Sequence, residues 1–322
     1  MSQQVVAAID AGTNTFRLLI ADSPAAVLKP LCKEQEITRL GQGFEPRARL
    51  LNELAMDRSL AVMKRFATFL AAYQPAKIRA VATSVVREAE NGGEFLARVR
   101  RQTGIPLEII TGQQEAVLTA FGVQHGLALG EQPFFLFDIG GGSTEFVYFD
   151  VEQQIRFCQS YPLGVVKLTE KYLIGDPPAD DAARKLLIEV DSYIDIMLNS
   201  LRHLELYPFP EATMLVGSAG TMTTFAAIDQ KLVQYDARLI NGYELKREQL
   251  AVLQEYLWGL PRSKRELVPG LAPGRIDVIL AGGLVALRIM KRCGFSRVKV
   301  SDCALLEGLA FSLYKKTETL PV

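Results

Sequence analysis

Histidine is almost missing from this chain: His125 and His203 are the only two in 322 residues, and neither falls in an HExxH-like arrangement. A nitrogen-rich transition-metal site is thereby disfavoured, and general acid–base work falls to carboxylates. Cysteine is scarce too. Cys32, Cys158, Cys293 and Cys303 lie far apart with no CxxC spacing, which excludes a zinc framework or a disulfide scaffold and suits a reducing compartment. The opening MSQQVVAAID is too short and polar for a signal peptide, and no apolar run approaches the ~20 residues that cross a bilayer. A soluble cytoplasmic protein with no membrane partner is expected. Net charge is absent as well, 36 basic residues against 36 acidic, so no average field recruits a nucleic acid polymer and any polyanion must be met by a local patch.

What is present is a large apolar fraction, 49%, which excludes a disordered or fibrous chain and fills about two domains at roughly 100–200 residues each. Strands and helices alternate. VVAAID ends a short strand at Asp10, and 15–22 continues as a second strand after a turn. Leu54, Leu60, Met63, Phe66 and Leu70 recur at helical spacing between Asn52 and Tyr73. A strand is expected at 78–84, a helix at 94–102, a strand at 107–112, and a helix from Gln113. The pattern then restarts: 134–150 reads as strand, glycine-rich turn, strand. A long helix over 182–203, a strand and glycine-rich turn at 213–221, helices at 247–258 and 277–292, a strand at 298–302 and a helix at 304–314 complete it. The strand–turn–strand unit with an aspartate at its first strand's end thus occurs twice, an internal duplication whose halves would face each other across a cleft, linked near 126–132.

Charge is uneven. Between Thr103 and Ile155 there is no Lys or Arg but seven acids, whereas 39–101 holds twelve basic residues against six acidic and 262–299 nine against two. An acidic centre flanked by basic segments suits a hard cation and an anionic substrate; solvated helix faces are the plain alternative for each run.

Gly140, Gly141 and Gly142, before Ser143, exceed what a hairpin requires and free backbone N–H groups to cradle phosphate oxygens. Asp138 and Glu145 flank that turn and supply the oxygen ligands that Mg²⁺ prefers. The first turn, Asp10 to Thr15, repeats the logic with one glycine. Glu115 opens a helix inside the stretch without basic residues, where an acid also simply complements the helix dipole. Arg87 offers a planar fork for phosphate, or a surface ion pair with Glu88 or Glu90. Gly217, Ser218, Gly220 and Thr221 form a third small-residue turn. Gly282 and Gly283, within a helical pattern, point to close packing, although a nucleotide-sized ligand would also require small residues there.

AAIDAGTNTFRLLI (7–20), ATSVVREA (82–89), IITGQQEA (109–116), FDIGGGSTEFV (137–147), VGSAGTMTT (216–224), ILAGGLVAL (279–287) and VSDCALLEGL (300–309) together resemble the exopolyphosphatase / guanosine pentaphosphate phosphohydrolase (Ppx/GppA) family of the actin-like superfamily, in family order over nearly the whole chain. The resemblance implies an α/β fold of two actin-like, ribonuclease H-like domains, 1–126 with 303–322 and 127–302, around an interdomain cleft. It implies Glu115 as the base activating water. Asp138, Glu145 and Asp10 would be the Mg²⁺ carboxylates. Gly12, Thr13, Asn14, Gly140, Gly141, Gly142 and Ser143 would be the phosphate cradle, with Arg87, Arg17 and the 217–221 turn assisting. Substrates would be polyphosphate or a guanosine polyphosphate, with a homodimer compatible. Departures stand at Gln113 and Gln114, where relatives carry acids, and at 303–306, where relatives carry arginines. A guanosine polyphosphate sensor with little turnover and an ATP-dependent kinase or ATPase are the rival readings.

Overall fold

The computed structural model describes residues 5–22, 28–44 and 48–314; the end of the expected first-domain segment, 315–322, lies outside them. The chain divides into two compact units, Met1–Gly122 with Ala304–Val322, and Val123–Cys303. The division falls inside a helix, and the stretch 126–132 closes that helix and leads into the next strand.

The first unit begins with β1 (Val6–Ala11), β2 (Thr15–Asp22) and β3 (Lys29–Ile37), then α1 (Glu53–Tyr73), β4 (Lys77–Ala82), α2 (Ser84–Glu88), α3 (Gly92–Thr103), β5 (Leu107–Ile109) and α4 (Gly112–Leu127). Its sheet runs β3-β2-β1-β4-β5, with β1 antiparallel to β2 and parallel to β4. β1 is buried at every position because both sheet faces are covered, which is why its sequence is a continuous apolar run. Ala7, Ile9 and Ala11 enter a core with α1 and α3, while Val6 and Ala8 face the opposite cluster. Asn52 caps α1 by accepting from Leu54 N at 2.9 Å, the short polar side chain satisfying a donor the helix leaves open.

The second unit repeats the plan: β6 (Phe134–Ile139), β7 (Thr144–Phe149), β8 (Ile155–Tyr161), α5 (Val165–Tyr172), α6 (Asp180–His203), β9 (Met214–Ser218), α7 (Ala219–Asp229), α8 (Ala237–Ile240), β10 (Glu244–Lys246), α9 (Arg247–Trp258), α10 (Arg262–Arg265), α11 (Ile279–Cys293) and β11 (Arg297–Val300). Sheet order is β10-β11-β9-β6-β7-β8. The expected packing role of the α11 glycines holds: a Cβ at Gly283 would lie 2.0 Å from Gln254 Oε1, and one at Gly282 2.7 Å from Thr221.

The chain ends its described part in α12 (Leu305–Tyr314), which returns to the first unit. Leu305, Leu306, Leu309 and Ala310 pack with Val6, Ala8, Leu19 and Leu118. Each fully buried leucine contributes about 1.5–3 kcal/mol of transfer free energy, so this short helix is firmly held.

Candidate active site

The two hairpin turns share one geometry. Gly12 N donates to Thr15 O at 3.1 Å, and Gly140 N donates to Ser143 O at 2.9 Å. A Cβ would come within 2.9 Å of Thr15 O in the first turn and 3.0 Å of Ser143 O in the second, so glycine is demanded by close approach at both places. Each turn is braced by the segment that follows the third strand. Gly41 N reaches Thr13 O at 2.8 Å and Arg39 N reaches Asn14 O at 3.0 Å; Val165 N reaches Gly140 O at 3.0 Å and Val166 N reaches Gly141 O at 2.9 Å.

Side chains at matching positions differ. In the first unit Asp10 stands opposite Arg17, and Arg17 opposite Gln35. Arg17 Nη1 lies 3.6 Å from Asp10 Oδ2, and Arg17 Nε donates to Gln35 Oε1 at 3.1 Å. Asp10, expected as a metal ligand, and Arg17, expected to meet phosphate, are thus paired with each other. In the second unit Asp138 stands opposite Glu145, Glu145 opposite Ser160, and Asp138 beside Ser218 on β9. Ser160 Oγ donates to Glu145 Oε1 at 2.6 Å, and Ser218 Oγ to Asp138 Oδ2 at 2.8 Å. Both carboxylates are buried. Like charges opposed on neighbouring strands destabilise a sheet, and hard oxygen donors side by side are what a divalent cation accepts. This donor set fits Mg²⁺. Among the described residues no three His, Cys, Asp or Glu side chains form a metal-ligand cluster of their own, so water and substrate would complete the coordination.

The first turn carries a further mark. Thr13 Oγ1, Asn14 Nδ2 and Thr15 Oγ1 are buried without a hydrogen-bond partner, a cost of about 1–3 kcal/mol each where no outside group pairs with them. In the second hairpin Thr144 Oγ1 donates to Leu163 O at 2.7 Å.

Arg87 and Glu115, 28 residues apart, come together. Arg87 Nη1 donates to Glu115 Oε2 at 3.1 Å and to Ile110 O at 2.9 Å. Glu88, offered above as a partner for Arg87, instead accepts from Ser84 Oγ at 2.9 Å. Glu115 is buried in the first turn of α4. That turn is fixed by a reciprocal cap: Thr111 N donates to Gln114 Oε1 at 2.9 Å and Gln114 N to Thr111 Oγ1 at 3.1 Å. The departure from an acid at Gln114 therefore has a structural occupation, the T-x-x-Q capping box.

The segment 217–221 is a strand-to-helix junction rather than a turn. Gly217 and Ser218 end β9, and Ala219, Gly220 and Thr221 start α7. Gly217 is packed against Met222 and Phe137, and a Cβ at Gly220 would lie 1.9 Å from Arg275 Nη2, so a side chain at either place would have to displace these neighbours. Much of the basic run at 262–299 is neutralised within the second unit: Arg265 pairs with Asp176 at 2.8 Å, and Arg288 and Arg292 with Asp191. Sequence reading singled out neither Gln35 nor Ser160; both lie on outer strands, β3 without apolar alternation and β8 with one broken at Gln159.

No helix among the described residues is long and apolar enough to cross a membrane. The family model described as "Ppx/GppA phosphatase family" matches residues 19–317. Exopolyphosphatase 2 of Mycobacterium tuberculosis is 35% identical over 96% of this chain and 98% of its own length. The crystal structure of an exopolyphosphatase from Cytophaga hutchinsonii aligns with a TM-score of 0.86 at 26% identity, covering 96% of this chain and 97% of that one. An Aquifex aeolicus Ppx/GppA family member aligns with a TM-score of 0.80 at 28% identity, covering 97% and 98%. The two-sheet α/β architecture is the actin-like two-domain fold that the resemblance implied. Glycine-turn geometry, sequence similarity along almost the whole length and matching structures agree, and the chain belongs to the Ppx/GppA phosphatase family.

Proposed function

We propose that this protein releases the terminal phosphate of inorganic polyphosphate, or of guanosine pentaphosphate, by Mg²⁺-assisted attack of water. The observation that carries the reading is the Arg87–Glu115 pair at 3.1 Å, a buried carboxylate fixed at a capped helix start and held by a guanidinium. Exopolyphosphatases are among the relatives it resembles. The four cysteines are free thiols, which suits the reducing cytoplasm.

Glu115 accepts the proton of the attacking water as the new P–O bond forms in line with the bridging oxygen that leaves. Arg87 commits Nη1 to Glu115 and Ile110 O; its remaining guanidinium donors are suited to the phosphoryl oxygens. Thr13 Oγ1 and Asn14 Nδ2, beside Gly12, find in phosphate the partners they lack; in the second unit the backbone N–H groups of Gly140, Gly141, Gly142 and Ser143 are suited to phosphoryl oxygens in the same way. The α7 start, with Ser218, Gly220 and Thr221, offers helix N-terminal N–H groups to an anion. Asp138 and Glu145 would hold Mg²⁺, which when bound would supply charge neutralisation on the phosphoryl oxygens.

Phosphate release from polyphosphate, guanosine pentaphosphate and ATP, measured side by side with Mg²⁺, tests the reading; no release with any divalent cation overturns it. Glu115→Gln is expected to slow release by about 10²–10⁴-fold, the scale of losing a general base, with the circular dichroism spectrum unchanged. Activity within a few-fold of wild type would remove Glu115 from this role.

A further inference from the structure

The position on the third strand that faces the second strand's functional residue changes character between the two units, and it does so in step with charge. In the first unit that residue is the cation Arg17, and its third-strand neighbour Gln35 presents an acceptor at 3.1 Å. In the second it is the anion Glu145, and its neighbour Ser160 presents a donor at 2.6 Å. That length is typical of a hydroxyl donating to an ionised carboxylate. β8 is an outer strand of its sheet and Ser160 is only half-buried, so packing alone places little demand on this residue. Its hydroxyl nonetheless turns to Glu145. On the far side Ser218 does the same for Asp138 at 2.8 Å. One oxygen of each carboxylate is thereby clamped by a serine from the flanking strand, and the row Ser160–Glu145–Asp138–Ser218 crosses four adjacent strands in register.

We propose that Ser160 is a positioning residue for the divalent cation: by fixing Glu145 Oε1 it sets the rotamer in which the carboxylate can share an ion with Asp138. The inference rests on the metal role assigned to Asp138 and Glu145 above. Groups that orient a metal's carboxylate ligands typically govern affinity by about 10–100-fold.

The test is calorimetric titration of the full-length, substrate-free protein with Mg²⁺, followed by phosphate release as a function of Mg²⁺ concentration. Ser160→Ala is expected to weaken Mg²⁺ binding by about 10–100-fold and to raise the Mg²⁺ needed for half-maximal release by the same factor. Its kcat at saturating Mg²⁺ should stay within about threefold of wild type, because the clamp orients the ligand and touches no reacting atom. Ser160→Thr keeps the hydroxyl and should restore binding. Ser160→Cys keeps the size but replaces a strong donor with a weak one; it should behave like Ser160→Ala and serves as its substitute if that variant folds poorly. Wild-type protein that binds Mg²⁺ while Ser160→Ala or Ser160→Cys binds it equally well overturns the inference alone. Wild-type protein that takes up no Mg²⁺ overturns it together with the metal reading.

Discussion

The two hairpins show one backbone put to two electrostatic uses. Each has an aspartate at the end of its first strand, a glycine whose N–H closes the turn, and a brace from beyond the third strand. In the first unit Asp10 faces Arg17, a pair whose charges cancel; in the second Asp138 faces Glu145, a pair whose charges add. The turn hydroxyls and amide at 13–15 are left without protein partners, whereas Thr144 is bonded to Leu163 O. The duplicated element thus carries a pair of opposite charges in the first unit and a pair of like charges in the second. Backbone geometry set the duplication, and a single residue on the second strand set the difference.

Exchanging that residue is the strongest way to break the comparison. Glu145→Arg gives the second unit the pairing of the first, so Asp138 is neutralised by a side chain and the carboxylate pair proposed to hold Mg²⁺ is lost. Phosphate release should fall by on the order of 10²–10³-fold or more, the scale of losing a principal charge-stabilising group, with the fold retained. Release at near wild-type rates would show that the acidic pair is not what distinguishes the units. The reciprocal change, Arg17→Glu, leaves Asp10 buried beside a like charge. We expect a loss of about 1–3 kcal/mol in stability, less than for a fully buried pair because Arg17 is partly exposed. Urea unfolding would measure it, and an unchanged midpoint would show that Asp10 does not depend on its cation.

The duplication itself was legible because its signals are local: an apolar run, an aspartate and a glycine turn stand together at 5–22 and again at 134–150. The strands that complete each half were not. β3 reads KPLCKEQEI, an outer strand without apolar alternation, and β8 reads IRFCQSY, where the period-2 set Ile155, Phe157 and Tyr161 is broken by Gln159. Gln35 and Ser160 went unseen with them. The Arg87–Glu115 pair had no sequence signal, because the two residues, 28 apart, are brought together by the parallel pairing of β4 with β5, Ala82 opposite Ile109. The capping box at Thr111 and Gln114 was visible as a T-x-x-Q pattern, yet the family comparison drew attention to the missing acid instead. At 217–221 the run of small residues suggests a turn, but the glycines sit against Phe137, Met222 and Arg275, and the chain goes directly from strand to helix.

Smaller changes sharpen the contrast between the turns. Thr15→Val removes a buried hydroxyl that has no partner and should leave stability equal or raise it by about 1 kcal/mol, whereas Thr144→Val strands Leu163 O and should cost about 1–3 kcal/mol. Shifts of the same sign in thermal unfolding would mean that the two hairpins are satisfied alike.

The smallest effect concerns one cysteine on each third strand. Burial and then the charge of Glu34 raise the Cys32 thiol above its ordinary range; burial and then the charge of Glu145 push Cys158 up to about 12. Only the thiolate is alkylated, so a higher value means slower reaction at a given pH. At pH 9 about one Cys158 in a thousand is ionised, a deficit of three pH units, and Cys32 should be labelled by iodoacetamide well ahead of it. Both rates should climb with pH, about tenfold per unit for Cys158. Glu145→Gln removes the lesser of the two causes at Cys158 and none at Cys32, so it should quicken labelling of the former modestly and leave the latter unchanged. A Cys158 labelling rate unchanged by Glu145→Gln would mean that the Glu145 charge does not reach the neighbouring edge strand β8, and the electrostatic distinction between the units would lose its simplest reporter.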